Sequence, residues 1–307
     1  MLLLALLVLL AEEALGPGDH RFDVSVDGRK RFALVHVPPQ AKKGQPLPLV
    51  LAFHGAATNA HIMANLTEFN AKADKEGFIV AYPNGTGRTP WVGTWNAGRC
   101  CGHASKEGID DVGFVETLLD RLAQRVSVDP RRIYATGISN GAMMSYRLAC
   151  ELPERIAAIA PVSGPIVTDE CPPGRPVPVM HFHGTKDHFA PYDVSKNKLS
   201  RLAGLRSVDD TIALWVERND CERKPTETKL PDRVDDGTRV TRFIYVPKKG
   251  DGDVILYRIE GGGHSWPGGT RDAKILGKTS REISANDLMW AFFKGHPLPK
   301  QSTGKDG

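Results

Sequence analysis

Three side chains in this sequence have the types that acyl-transfer chemistry needs, in the chain order Ser139, Asp187, His264. Ser139 sits in Gly137-Ile138-Ser139-Asn140-Gly141. Before it, residues 133–136 are a short apolar run with β-branched and aromatic character; after it, residues 142–150 are rich in Ala, Met and Leu and read as a helix. A strand that meets a helix at a serine describes a nucleophile elbow. The strained turn lifts the hydroxyl above the sheet, and the flanking glycines are needed because a Cβ there would collide with the neighbouring strand or helix. The helix N-terminus behind Ser139 favours negative charge developing beside it. A serine hydroxyl is a poor nucleophile at neutral pH. His264 is therefore expected to take its proton as general base and return it to the leaving group as general acid, while Asp187 holds the imidazole tautomer. Asp193 is the second candidate for the acid.

A different chemistry competes for part of this set. His181-Phe182-His183 with Asp187-His188 resembles a metal-ligand cluster, since alternate residues of a strand share a face. Its spacing, H-x-H-x-x-x-D-H, is two longer than the H-x-H-x-D-H pattern of dinuclear zinc hydrolases, and no partner histidines complete that shell. The expectation is therefore no metal and no other cofactor.

These residues need a scaffold that brings three distant loops to one edge. Residues 22–26 and 32–37 alternate apolar and polar and are joined through Asp27-Gly28, which reads as an antiparallel hairpin at one edge of a sheet. Residues 47–53, 78–82, 133–136, 156–162 and 176–182 are apolar runs of the kind buried on both faces of a parallel sheet. Helices are expected over 68–76, over 110–126 with Asp110 or Asp111 as cap, over 142–150, 208–217 and 285–294; strands are expected over 239–246 and 254–259. Strands alternating with helices give a mainly parallel sheet, whose chemistry gathers at the carboxyl ends of the strands. Ser139, Asp187 and His264 each follow a predicted strand. The loop after 47–53, His54-Gly55-Ala56, and the residue after the serine are the expected sources of oxyanion-hole N–H groups, Ala56 and Asn140. His54 is expected to brace that loop. The long irregular segment 86–108 is of a length that is usually functional.

Composition bounds the rest. With 307 residues, 41% of them hydrophobic and 25% charged, the chain can bury one sizeable core. The net charge of +4 comes without a long Lys/Arg run interleaved with aromatics, so nucleic acid is not implied. Residues 1–10 are almost all Leu, too few to span a bilayer yet suited to the apolar region of a secretory signal. The expected organisation is a signal peptide over 1–16, one domain over 17–299 and a disordered tail over 300–307, with export to the periplasm or medium and no stable membrane insertion. Five cysteines, an odd number, leave at least one unpaired; export would permit one or two disulfides among Cys100, Cys101, Cys150, Cys171 and Cys221, in a pattern the sequence does not give.

Five segments together carry a resemblance: Thr94-Trp95-Asn96-Ala97-Gly98-Arg99-Cys100-Cys101-Gly102, Asp110-Asp111-Val112-Gly113-Phe114, Ala135-Thr136-Gly137-Ile138-Ser139-Asn140-Gly141, His183-Gly184-Thr185-Lys186-Asp187 and Gly262-Gly263-His264-Ser265-Trp266-Pro267-Gly268. Over residues 35–293 the chain resembles the bacterial esterases described as polyhydroxybutyrate depolymerases and feruloyl esterases. The resemblance implies an α/β-hydrolase fold, with a mainly parallel central sheet flanked by helices, and a secreted serine esterase whose triad matches Ser139, Asp187 and His264. It implies a small-molecule or polymer-linked ester as substrate, feruloyl or related polysaccharide-linked esters first and polyhydroxybutyrate second. Trp95 and Trp266 would then stack on an aromatic acid or pack the loops. Many members carry another cysteine downstream of the position of Cys221; here residues 247–253 have none. A non-catalytic binding member of the fold is the alternative of another class, and its mark, a lost triad residue, is not seen.

Overall fold

The computed structural model describes residues 13–168, 170–195, 204–270 and 273–300. One ten-stranded sheet runs through them. Its strands are β1 (Gly18–Val26), β2 (Arg29–Val37), β3 (Leu47–Phe53), β4 (Ile79–Pro83), β5 (Val128–Ile138), β6 (Ala158–Val162), β7 (Val179–Gly184), β8 (Thr226–Lys229), β9 (Arg239–Tyr245) and β10 (Val254–Glu260), in the spatial order β1-β2-β4-β3-β5-β6-β7-β10-β9-β8. The six central strands, from β4 to β10, are parallel. Antiparallel strands close both sides, the β1–β2 hairpin on one and β9–β8 on the other.

Burial explains the sequence pattern. Every residue of β3, β4, β6 and β7 is buried, as befits strands covered on both faces. Alternation decides which face each residue serves: Leu49, Leu51 and Phe53 pack toward one helical layer, Val50 and Ala52 toward the other. The first layer holds α4 (Asp111–Ala123), α5 (Asn140–Glu151) and α6 (Val208–Arg218); the second holds α1 (Ala60–Thr67), α2 (Phe69–Glu76) and α7 (Ala285–Gly295). A short helix, α3 (Gly102–Lys106), interrupts the long loop before α4.

The expected elements are present; among the described residues, α1, α3, β8 and a single 3-10 turn at Lys274–Leu276 were not foreseen. The helix expected over 68–76 is the second of two, because Glu68 adopts φ 51° and ends α1 with its N–H on the Ala64 carbonyl before α2 begins. α3 is five residues long and β8 four, and β8 is mostly exposed, so neither carries a readable period. Asp110, rather than Asp111, caps α4: its Oδ1 accepts the Gly113 N–H at 2.8 Å.

Residues 1–12 of the expected leader and 301–307 of the expected tail lie outside the described residues. Residues 13–16 rest on the end of the α4 region, where the Leu15 N–H meets the Arg125 carbonyl at 2.7 Å. Cys150 and Cys171 form a disulfide, Cys100 and Cys101 are paired with each other, and Cys221 is free and buried.

Candidate active site

Because β5, β7 and β10 are parallel, the segments after them emerge at one edge of the sheet, and these carry Ser139, Asp187 and His264. Ser139 has φ 58° and ψ −122°, a conformation that costs a non-glycine residue on the order of 1–3 kcal/mol. The turn is held by close packing. A Cβ on Gly137 would stand 2.5 Å from the Gly141 carbonyl carbon and 2.7 Å from the Phe53 oxygen, and one on Gly141 would collide with that same Phe53 oxygen. Both glycines are thus required by backbone approach between β3 and the elbow. Ser139 is half-buried, between a buried Ile138 and a buried Asn140.

Asp187 and His264 are brought together directly. His264 Nδ1 lies 2.8 Å from Asp187 Oδ2, with both side chains buried. Asp187 Oδ1 accepts the N–H groups of Phe189 at 2.9 Å and Ala190 at 2.8 Å. Burial alone would raise the Asp187 carboxyl; the His264 hydrogen bond and charge, with His183 and the Ala190 N–H, outweigh it and hold the carboxyl below its usual range. An ionised Asp187 takes the proton of Nδ1 as its hydrogen-bond donor, which leaves Nε2 as the lone-pair nitrogen of the imidazole. The histidine loop is itself pinned, through His264 N–H to the Leu276 carbonyl at 2.6 Å and Gly263 N–H to the Lys278 carbonyl at 2.9 Å. Asp193 is exposed, with its Oδ1 accepting the Ser195 N–H, and is not the acid paired with His264.

The two expected oxyanion donors flank the serine. A Cβ on Gly55 would lie 3.5 Å from Ser139 Cβ, so the loop carrying Ala56 passes beside Ser139. Asn140 opens α5, and the first N–H groups of a helix have no partner within it. The Asn140 side chain is committed elsewhere: Oδ1 accepts the Trp95 N–H at 2.7 Å and Nδ2 donates to the Trp95 carbonyl at 3.1 Å.

His54 braces the loop that carries Ala56. Its Nε2 accepts the Gly85 N–H at 2.9 Å, so the proton sits on Nδ1, which donates to the Gly55 carbonyl at 2.8 Å. Burial pushes the imidazole down to about 4. In the unfolded chain it ionises near 6.5, so between pH 6.5 and 4 the unfolded state binds a proton that the folded state refuses. The resulting stabilisation is complete above pH 6.5 and is lost as pH falls toward 4, by on the order of 3 kcal/mol. Urea unfolding at pH 7 and pH 4.5 should show this loss, and His54→Gln should flatten the part of the slope that His54 contributes. An unchanged slope in that variant would contradict the assignment.

Of the two roles expected for the tryptophans, burial favours loop packing over stacking on a substrate. Trp95 is fully buried, its Nε1 donating to the His54 carbonyl at 2.9 Å and its ring edge-on to Phe53. Trp266 is 2% exposed, its Nε1 donating to Asn286 Oδ1 and its ring edge-on to Phe69. Neither ring offers a face to a substrate; both pack the loops. The exposed aromatic at the site is Phe189, 54% exposed, with its ring centroid 5.3 Å from that of His264. Its place directly after Asp187-His188 was the only sequence signal, and exposure is not readable from it.

A second unforeseen group is the buried pair Arg31–Asp111. Arg31 Nη2 donates to Asp111 Oδ1 at 2.7 Å, and Asp111 Oδ2 accepts the Asn96 N–H at 2.7 Å. Asn96 follows Trp95, so this ion pair anchors the long loop to α4 exactly where Asn140 grips it from α5. The His181–His183 cluster is not arranged as a metal shell. All four ring nitrogens have hydrogen-bond partners within the protein, and His188 is exposed.

A ten-stranded sheet with a central parallel block, helices on both faces, an elbow serine after one central strand and an Asp–His pair carried by the loops after two others defines an α/β hydrolase. The comparisons with known proteins agree. Residues 31–200 match the family described as "Esterase PHB depolymerase", and the chain belongs to that family. It is 30% identical over 288 residues to a Nocardia uniformis protein named "Putative esterase NocK", which covers 89% of this chain and 82% of that protein. It is 28% identical over 242 residues to feruloyl esterase B of Piromyces equi, covering 76% of this chain and 42% of the relative, so here it spans less than half the relative's length. The same holds for the bifunctional acetylxylan esterase/xylanase XynS20E of Neocallimastix patriciarum, 27% identical over 75% of this chain and 31% of the relative. Among solved structures, the acetyl xylan esterase from Aspergillus awamori superposes with a TM-score of 0.57 at 16% identity, over 89% of this chain and 99% of that one, which supports the fold.

Proposed function

We propose that the protein is a serine carboxylesterase that works through an acyl-Ser139 intermediate, on feruloyl or related polysaccharide-linked esters. The observation that carries this reading is the Asp187–His264 hydrogen bond at the edge of the sheet where Ser139 stands in its strained turn. His264 Nε2 takes the proton as Ser139 Oγ attacks the ester carbonyl. The N–H groups of Ala56 and Asn140 receive the oxyanion, which the N-terminus of α5 also favours. Collapse of the tetrahedral intermediate expels the alcohol, protonated by His264. Water, activated by the same imidazole, then releases the acid and restores the serine. Apart from the ester and water, each step uses only protein groups.

The acyl preference rests on Phe189, an exposed ring beside the base, together with the feruloyl and acetylxylan esterases among the relatives. Export is proposed from the apolar run at residues 1–10 and is compatible with the Cys150–Cys171 disulfide. Among the described residues, no helix is long and apolar enough to cross a membrane.

The test is hydrolysis of methyl ferulate, p-nitrophenyl acetate and a 3-hydroxybutyrate oligomer, with and without EDTA. Methyl ferulate as the best substrate with EDTA inert is the expected result. Preference for the oligomer would move the assignment to polyhydroxybutyrate, and activity that dies with chelator would contradict the serine mechanism. Phe189→Ala should lower kcat/KM on methyl ferulate about tenfold more than on p-nitrophenyl acetate, the order of one lost aromatic contact. Equal losses on both esters would remove Phe189 from acyl recognition.

A further inference from the structure

From Asp187 a line of buried polar side chains crosses the core. Tyr146 of α5 places its hydroxyl 2.8 Å from His181 Nδ1. His181 Nε2 is 3.0 Å from His183 Nδ1, and His183 Nε2 is 2.7 Å from the Ala190 carbonyl oxygen and 3.5 Å from Asp187 Oδ2. All three side chains are buried within an otherwise apolar stretch of the fold, where polar groups are tolerated only when fully bonded.

The carbonyl at the end of the line decides every proton in it. A carbonyl oxygen only accepts, so His183 Nε2 carries the proton and Nδ1 the lone pair. That lone pair requires the proton of His181 on Nε2, which leaves His181 Nδ1 to accept from the Tyr146 hydroxyl. Burial holds both imidazoles neutral and the tyrosine protonated, as this order demands. Ala190 links the line to the site: its carbonyl receives His183, and its N–H donates to Asp187 Oδ1. Of the other titratable groups around it, His264 shares Asp187 Oδ2 with His183, and Tyr192 meets His183 edge-on and spends its hydroxyl on Asp209.

We propose that His183, aligned by His181 and Tyr146, is a positioning residue that fixes the Asp187 carboxylate against His264, by gripping the Ala190 turn and presenting its Nε2–H beside Asp187 Oδ2. This rests on the serine-esterase reading above. A carboxylate that drifts from His264 aligns the base less well and stabilises its imidazolium less, so the effect falls on turnover rather than on substrate binding.

The experiment compares wild type, Ser139→Ala, His183→Leu, His183→Gln and Tyr146→Phe in hydrolysis of p-nitrophenyl acetate across pH, with a thermal melt of each. His183→Leu, which has no donor, should lose kcat on the order of 10²-fold with KM nearly unchanged, and the acidic limb of its pH profile should move to lower pH. His183→Gln keeps an N–H donor near the Nε2 position and should recover most of the loss. Tyr146→Phe should shift kcat and the acidic limb in the same direction by a smaller amount, and it decides the matter if His183→Leu does not fold. Wild-type turnover and an unmoved pH profile in a folded His183→Leu or Tyr146→Phe would overturn the inference while an inactive Ser139→Ala leaves the triad standing. Equal losses in the Leu and Gln variants with an unmoved profile would mark a structural role only and overturn it too. Activity that survives Ser139→Ala would overturn the triad and this inference together.

Discussion

Ser139→Ala is expected to lower kcat on p-nitrophenyl acetate by about 10⁶-fold while the protein stays folded. The loss is this large because the serine and its base act as one unit, and an alanine at the elbow leaves nothing for His264 to activate. The residue is half-buried on a turn whose geometry is set by backbone contacts of Gly137 and Gly141 with Phe53, none of which involves the serine hydroxyl. Circular dichroism and the melting temperature should therefore match wild type. The small residual rate over water would come from the oxyanion N–H groups and binding alone. A kcat within tenfold of wild type in a folded variant would exclude Ser139 as the nucleophile.

Asp187→Asn is expected to cost about 10⁴-fold in kcat, more than a simple loss of charge suggests. Oδ1 accepts two backbone N–H groups, from Phe189 and Ala190, so the amide oxygen of an asparagine must occupy that position. Its NH₂ group then faces His264 Nδ1, where the wild-type carboxylate accepts at 2.8 Å. Two donors cannot share a hydrogen bond, so the imidazole moves its proton to Nε2, and the nitrogen meant to act as base loses its lone pair. The expected signature is a collapsed kcat with little change in KM, set against an unaffected Asp193→Asn. The reverse pattern would reassign the acid.

The sequence disclosed what repeats along the chain and little of what depends on distant partners. Continuous apolar runs marked β3, β4, β6 and β7 because both faces of each are covered, and the elbow glycines marked the turn because backbone contact leaves no room for a Cβ. Asp187 and His264 were singled out by their order and their place after strands, and the two are hydrogen-bonded although 77 residues separate them. Burial was not readable in the same way. Trp95 and Trp266 have the residue type of a stacking platform, yet they lie inside the loops, while Phe189 carries the exposed ring. His181 and His183 looked like metal ligands because alternate strand residues share a face; the partner that occupies His181, Tyr146, comes from a different helix. Asp111 likewise sits beside a helix cap in the sequence, and only the distant Arg31 explains why it is buried.

The most direct measurement is covalent trapping: incubation with diethyl p-nitrophenyl phosphate, followed by intact mass and peptide mapping. The expected result is one diethylphosphoryl group per chain on the peptide containing Ser139, release of one equivalent of p-nitrophenolate, loss of esterase activity, and no adduct in Ser139→Ala. An adduct on another residue accompanied by loss of activity, or full esterase activity in a chain phosphorylated at Ser139, would contradict an acyl-serine mechanism at this elbow.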